Sequence, residues 1–278
     1  MPSDRKLTYS RQSKALELIP ERKVPVERSP KAPDVKTGFV ASLAGYTKPD
    51  GVFSYNIVCV ISGGEKRESN FLDELISKEK LRSLRIVFLS KEGQGLQPYQ
   101  MQAKWFEIQK TGEIDIDGLT YILDEVDKVF LLSDVDEFYN QLIKIFAERS
   151  ENDSGQWIIS NPCFEMWLYY CFKNNPLTDL ASIEPLSVDK RSRELKRLSD
   201  IVVNGGLNPF RAFEKMSEGI KHSLEHYAED ENAIPILFAT QMHKMAQYLI
   251  DTMNSNANEY NEFVRRKCEW REKMKLGF

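Results

Sequence analysis

The stretch VDKVFLLSDVDEFYNQL, residues 126–142, joins a short apolar run to two aspartates, Asp134 and Asp136, and then to a segment with helical spacing. An uninterrupted apolar run of this length is typical of a strand that is buried on both faces of a sheet. Ligands of parallel α/β sheets bind beyond the carboxyl ends of the strands. Two carboxylates in this place therefore indicate a functional site.

Three further segments repeat the order of strand and helix. Apolar, β-rich runs at residues 57–61, 84–90 and 156–160 are each followed by apolar residues at helical spacing. A short helix is predicted around residues 118–125. Strands that alternate with helices through long crossovers predict an α/β fold, a Rossmann-like parallel sheet flanked by helices.

The two ends of the chain differ from this pattern. Residues 1–50 are rich in proline and charge, which predicts an extended or partly disordered arm. Residues 51–175 form the predicted α/β core, and residues 176–278 form a helical C-terminal extension packed on it. The helices of this extension are predicted at residues 189–203, 209–227, 235–253 and 258–275.

Composition excludes several classes of protein. No apolar run approaches the roughly 18 residues of a membrane span, so we expect a cytoplasmic protein without membrane contact. Four cysteines without a CxxC pair favour neither a zinc ribbon nor a disulfide framework. The net charge of -4 gives no general attraction to nucleic acid. Basic residues nevertheless cluster at the N-terminus and at residues 189–197 and 265–275, as solvated faces or as contacts to an anionic partner.

The aspartates at the end of the third strand have two interpretations. If the strand stays extended, Asp134 and Asp136 point the same way and could face one divalent cation. Mg²⁺, or Mn²⁺, is then the expected ion, because hard cations bind carboxylates together with water and phosphate. Alternatively, Asp134 starts a turn and Asp136 caps the next helix.

Acidic residues also follow the first and fourth strands. The turn SGGEKRE, residues 62–68, places Glu65 and Glu68 at or near the start of a helix. In SNPCFE, residues 160–165, Asn161 is a good N-cap ahead of a proline, and Glu165 falls in the first helical turn. Glu165 either complements the helix dipole or reaches a metal through water.

Three of these segments together resemble the RloB-like family, prokaryotic proteins of phage-defence (abortive infection) and restriction-associated loci. The family motifs EGEKTEpnYF, DxD and SNPCFElWllhHF correspond here to GGEKRESNFL (residues 63–72), LLSDVDE (131–137) and SNPCFEMWLYYCF (160–172). The resemblance covers most of residues 55–250.

The family is similar to Toprim-type folds, and this similarity implies roles for individual residues. Asp134 and Asp136 match the pair that binds Mg²⁺. Glu65, Lys66, Glu68 and Asn70 match family positions in the first motif. The glutamate that heads that motif, a general acid or base in Toprim enzymes, is replaced by Gly63. Glu68 or Glu65 is then the expected acid or base.

Two functions follow from the resemblance. The first is a metal-dependent nuclease that hydrolyses phosphodiesters of DNA or RNA in antiviral defence, with an AAA-type or ABC-type ATPase encoded nearby. The second is a catalytically degenerate Toprim-like module that binds nucleic acid or the partner ATPase. The retained Asp134 and Asp136 favour the first function, and Gly63 favours the second.

Overall fold

The computed structural model describes residues 56–76, 84–93, 95–116, 119–124, 127–149 and 155–254, together with residues 265, 268, 269 and 272. The predicted N-terminal arm, residues 1–50, lies outside these residues. So does the predicted helix at residues 258–275, apart from the four isolated positions, which are helical.

A four-stranded parallel sheet organises the described residues. Its strands run in the order β2-β1-β5-β6, and a separate antiparallel hairpin pairs β3 with β4. The prediction of an α/β fold with a Rossmann-like parallel sheet flanked by helices is confirmed. The strands are β1 (Asn56–Ser62), β2 (Leu84–Leu89), β3 (Glu113–Ile116), β4 (Leu119–Ile122), β5 (Lys128–Asp134) and β6 (Gln156–Ser160).

Helices separate the strands and then continue alone. Two short 3-10 helices, Asp136–Phe138 and Ala181–Ile183, lie between the α-helices. The α-helices are α1 (Lys66–Ile76), α2 (Pro98–Thr111), α3 (Tyr139–Ala147), α4 (Glu165–Tyr170), α5 (Pro176–Asp179), α6 (Val188–Val202), α7 (Pro209–Phe213), α8 (Met216–Glu225) and α9 (Met242–Asn254).

Alternate residues of the strands feed two apolar clusters, one on each face of the sheet. On β1, Val58 and Val60 join the cluster that contains side chains from α1, α4 and the helices from α6 to α9. Ile57, Cys59 and Ile61 join the other cluster, with α2, α3 and the hairpin. Because both faces are covered, the central strands read as continuous apolar runs rather than as alternating ones.

The predicted helix around residues 118–125 is wrong. Ile114 pairs with Tyr121 across the β3–β4 hairpin, and both side chains are buried in the cluster with α2 and α3. Burial of one face of this ribbon stabilises it over a helix, because alternate residues can then reach the core together.

Two predicted helices of the C-terminal part are also shorter than expected. The segment 209–227 forms two helices, α7 and α8, and the segment 235–253 becomes helical only at Met242. The residues before Met242 bind the edge of the sheet instead, where the backbone N–H of Gln241 donates to the Ile159 carbonyl at 2.8 Å. The Gln241 side-chain oxygen in turn accepts from the Ile159 N–H at 3.0 Å.

None of the described helices has both the length and the apolar character that crossing a membrane requires.

A candidate carboxylate site at the carboxyl edge of the sheet

The site is built around Asp134, the last residue of β5. Its register partner is Ser160, the last residue of β6, so two central strands end at the same level. Asp134 shares the strand parity of Phe130 and Leu132, whose side chains belong to the cluster with α1 and α4. Its Oδ1 accepts a hydrogen bond from the backbone N–H of Phe164 at 2.8 Å.

This hydrogen bond explains why the start of α4 differs from the prediction. The sequence places an N-cap at Asn161, whereas α4 begins at Glu165 with Phe164 in the N-cap position. A carboxylate from β5 binds the N–H at this helix start, and Asn161 is used elsewhere. The Asn161 side-chain amide donates to the Pro235 carbonyl at 2.8 Å, and the peptide bond to the following proline is cis.

Glu68 brings a second carboxylate to the same place. It lies in the first turn of α1, with only 7% of its surface exposed. Its carboxyl group folds back over the Cα of Gly64, so that a Cβ on Gly64 would overlap all three terminal atoms of the Glu68 side chain. Gly64 therefore creates the space in which this carboxyl group lies.

The turn before Glu68 is held tightly against its neighbours. The Gly63 N–H donates to the Leu132 carbonyl at 2.8 Å, and the Ser90 hydroxyl donates to the Gly64 carbonyl at 2.9 Å. A Cβ on Gly63 would lie 3.2 Å from the Leu96 carbonyl oxygen and 3.3 Å from that of Leu132. Backbone atoms thus crowd the position where the family motif carries glutamate, and the nearest carboxylate of the turn that reaches the site is that of Glu68.

Glu165 adds a third carboxylate, which is buried, together with two cations. It is the first residue of α4 and is 4% exposed. The Arg67 Nε lies 3.3 Å from Glu165 Oε1, and the Lys196 Nζ lies 3.6 Å from the same oxygen. Sequence reasoning missed both cations as site residues, although Lys196 belongs to the basic cluster at residues 189–197. Nothing local in the sequence shows that α6 packs beside α4.

The surroundings of Glu68 and Asp134 change the ionisation of both carboxyl groups. Burial, followed by the negative charge of Glu165, raises the pKa of Glu68 to about 7. Burial also raises the pKa of Asp134 well above its usual value, and the charges of Glu68 and Glu165 add to this effect. Both carboxyl groups therefore resist ionisation in their buried surroundings, and a bound cation would favour their charged forms.

Asp136 lies beside this group but does not share a face with Asp134. Val135 has helical dihedral angles, so the chain leaves the extended conformation between the two aspartates. Burial raises the pKa of the half-buried Asp136, against the opposing effect of the positive charge of Lys196. Asp136 is also not the predicted helix cap: the residues in the N-cap positions of the 3-10 helix and α3 are Val135 and Phe138, and neither makes a side-chain cap.

The other predicted site residues lie further out. The Glu65 carboxylate accepts a hydrogen bond from the Gly93 N–H at 2.9 Å, which directs it towards the loop after β2. Lys66 is exposed at the start of α1. Neither residue lines the cavity that Glu68 and Asp134 share.

That cavity has room for about one water molecule. Its lining residues show whether the cavity suits a metal ion. Its polar lining consists of Glu68, Ser133, Asp134 and Ser160, all oxygen donors of the kind that hard cations prefer. Within the described residues, no three His, Cys, Asp or Glu side chains are grouped to hold an ion by themselves. Mg²⁺ is commonly bound by only one or two carboxylates with water and substrate phosphate, so this donor set fits it.

Comparison with known proteins agrees with the sequence motifs. No curated protein and no solved structure matches the chain significantly. The family model described as RloB-like protein matches residues 58–261, a segment that contains all of the sheet except the first two residues of β1, together with the site at its edge. This match covers well over half of the 278 residues, and the chain belongs to the RloB-like family.

Proposed function

We propose that the protein is a metal-dependent nuclease that hydrolyses phosphodiester bonds of nucleic acid. One observation carries the proposal: three acidic side chains from separate elements, Glu68, Asp134 and Glu165, converge at the carboxyl edge of a parallel sheet. Burying several carboxylates together destabilises a fold unless cations or hydrogen bonds compensate. Acidic residues with raised pKa values, such as Glu68 and Asp134, concentrate at functional sites.

The acidic residues take different roles in this proposal. Asp134 would hold Mg²⁺ or Mn²⁺ directly, and Asp136 would reach it through water from the adjoining turn. When bound, the ion would stabilise the charge of the phosphate and lower the pKa of water. Glu68 faces the same cavity, and a pKa of about 7 allows it to accept or donate a proton at neutral pH.

The cations of the site suit the negative charge of the substrate. Glu165 fixes Arg67 and Lys196 through one carboxylate oxygen. The Arg67 Nη1 is buried and has no hydrogen-bond partner within the described residues. Burying a guanidinium nitrogen without a hydrogen-bond acceptor costs free energy, because the group loses its contacts with water. A phosphate oxygen is an acceptor that arginine binds well.

The experiment is a cleavage assay on labelled DNA and RNA with Mg²⁺, with Mn²⁺ and with EDTA. We expect cleavage only with metal, and a loss of about 100-fold or more for Asp134→Asn and Glu68→Gln. Glu65→Gln is the matched control, since it removes the same charge from the same turn without touching the cavity. Absence of cleavage by the unaltered protein with either metal would contradict the proposal, as would equal losses in Glu68→Gln and Glu65→Gln.

A second candidate is a binding module without catalysis, and Gly63 favours it. Gly63 occupies the position at which the family motif carries glutamate. The carbonyl oxygens of Leu96 and Leu132 leave little room for a side chain at this position. This module would bind nucleic acid equally well in EDTA and in Mg²⁺ and would cleave nothing. The same assay, run with a binding measurement on the same probes, separates the two candidates.

Membership of the RloB-like family supports a wider setting for either candidate. We include in the proposal a role in prokaryotic antiviral defence, in the cytoplasm, together with an AAA-type or ABC-type ATPase. Phage plaque counts on cells that carry the native locus, compared with the same locus bearing Asp134→Asn, test this role. Equal plaque counts would favour the module without catalysis.

A further inference from the structure

One side of α6 is unusually basic. Lys190, Arg193, Lys196 and Arg197 are all exposed. Their spacing of i, i+3, i+6 and i+7 places them along one side of the helix, a set that we call the α6 basic face. The opposite side carries Leu195, which is fully buried in the core. The chain as a whole has a net charge of -4, so this face is not a sample of a generally basic surface.

The α6 basic face begins at the carboxylate site. Lys196, at its inner end, lies 3.6 Å from Glu165. With a rise of 1.5 Å per residue, Arg193 lies about 4.5 Å and Lys190 about 9 Å further along the helix axis. The outer length corresponds to between two and three nucleotides of a strand that rises about 3.4 Å per nucleotide.

The four cations differ in how far neighbouring acids already neutralise them. Arg197 makes a two-pronged pair with Glu194, at 2.6 and 3.0 Å. Lys196 is engaged with Glu165. Lys190 and Arg193 form no close ion pair within the described residues. The exposed carboxylate of Asp189 attracts both only at longer range, so these two cations have the most freedom to gain phosphate contacts.

We propose that the α6 basic face binds the sugar-phosphate backbone of the nucleic acid next to the phosphodiester held at the carboxylate site. The inference rests on the proposed function, because that site fixes which phosphate lies at Lys196. The face positions the strand rather than reading its sequence, since contacts to phosphate are shared by all sequences.

The test is fluorescence anisotropy of the full chain in EDTA, which separates binding from cleavage. The probes are a fluorescein-labelled 30-base-pair DNA duplex and a single-stranded RNA of matching sequence. The variant is Lys190→Glu with Arg193→Glu. The control is Lys110→Glu with Lys144→Glu, which changes the net charge equally on exposed positions of α2 and α3, across the sheet.

We expect the α6 variant to bind at least one probe at least about ten-fold more weakly. The slope of the logarithm of its binding constant against the logarithm of the salt concentration should decrease by the equivalent of nearly two phosphate contacts. The control should stay within two-fold of the unaltered protein. The inference is overturned if both double variants weaken equally, if neither does, or if the unaltered protein binds neither probe. Lys190→Ala with Arg193→Ala, with an unchanged melting temperature, guards against misfolding of the charge-reversal variant.

This outcome is independent of the cleavage assay. Metal-dependent cleavage together with normal binding by the α6 variant would refute the inference about the α6 basic face and support the proposed nuclease. Weakened binding by the α6 variant, in a protein that cleaves neither DNA nor RNA, would support binding by the α6 basic face and refute the nuclease function.

Discussion

Replacing Gly64 with alanine should remove the proposed activity without weakening the fold. The Glu68 carboxyl group covers the Gly64 Cα, so the new methyl group would overlap it. Only the far end of one flexible side chain has to move. The shift needed to restore a normal contact is about 1 Å or more, and a misplacement of that size costs about 100-fold in rate.

Stability should behave differently, for two reasons. The backbone of Gly64 lies outside the left-handed region, so alanine can adopt it, and a Gly→Ala change of this kind stabilises by about 0.4–1 kcal/mol through the unfolded chain. In addition, the pKa of Glu68 is raised from 4.5 to about 7, which means that burying its charge costs about 3 kcal/mol above pH 7. A displaced carboxyl group regains part of that free energy.

The assay pairs cleavage rates with thermal melting at pH 8 for the unaltered protein, Gly64→Ala, Glu68→Ala and the double variant. We expect Gly64→Ala to melt no lower than the unaltered protein. In the Glu68→Ala background the same change should be nearly neutral apart from the unfolded-chain term, because the overlapping atoms are gone. Cleavage at the normal rate by Gly64→Ala would refute the reasoning, and so would a melting temperature lowered by several degrees.

Three further outcomes are expected. Glu68→Gln should stabilise the protein by up to about 3 kcal/mol above pH 7 and hardly at all at pH 4.5. The Glu68 carboxyl group binds its proton more tightly in the folded protein, so the unaltered protein loses stability as the pH rises from 4.5 to about 7. A difference in unfolding free energy that does not change with pH would contradict this. Asp134→Ala should be about 1–2 kcal/mol less stable than Asp134→Asn, since only asparagine still accepts the Phe164 N–H; equal urea midpoints would remove that hydrogen bond from the account. Phe71→Ala should lower the free energy of unfolding by about 3–5 kcal/mol, because the ring is 1% exposed among other aromatic rings; a loss below 1 kcal/mol in urea melts argues against this packing.

The sheet was predictable because its signals are local. Apolar runs such as residues 57–61 are short and continuous, and only a strand covered on both faces suits them. The hairpin was missed even though Ile114 and Ile116 alternate with a polar residue and Asp117-Gly118 is a common turn pair. The prediction of a short helix around residues 118–125 did not use this alternation.

The site was predictable only in part. The strand ends at Asp134 and SNPCFE predicted that these acidic segments meet at the carboxyl edge of the sheet, since parallel strands present their carboxyl ends together, and β5 and β6 do end side by side there. The sequence left open whether the chain turns after Asp134, because the turn depends on the hydrogen bond that the Val135 N–H donates to the Ser160 carbonyl of another strand. Lys196 was missed for the same reason: its contact with Glu165 depends on tertiary packing, which leaves no periodic trace in the sequence.

The packing of the C-terminal helices has a consequence for how such a protein can evolve. Met242 of α9 lines the cavity of Glu68 and Asp134, and Lys196 of α6 lies against Glu165. The walls of the site are therefore contributed by opposite ends of the described chain. Recombination that moved the sheet alone into another protein would therefore lose part of the site. Substitutions in the C-terminal helices, in contrast, can change the surroundings of the carboxylates while the sheet stays constant.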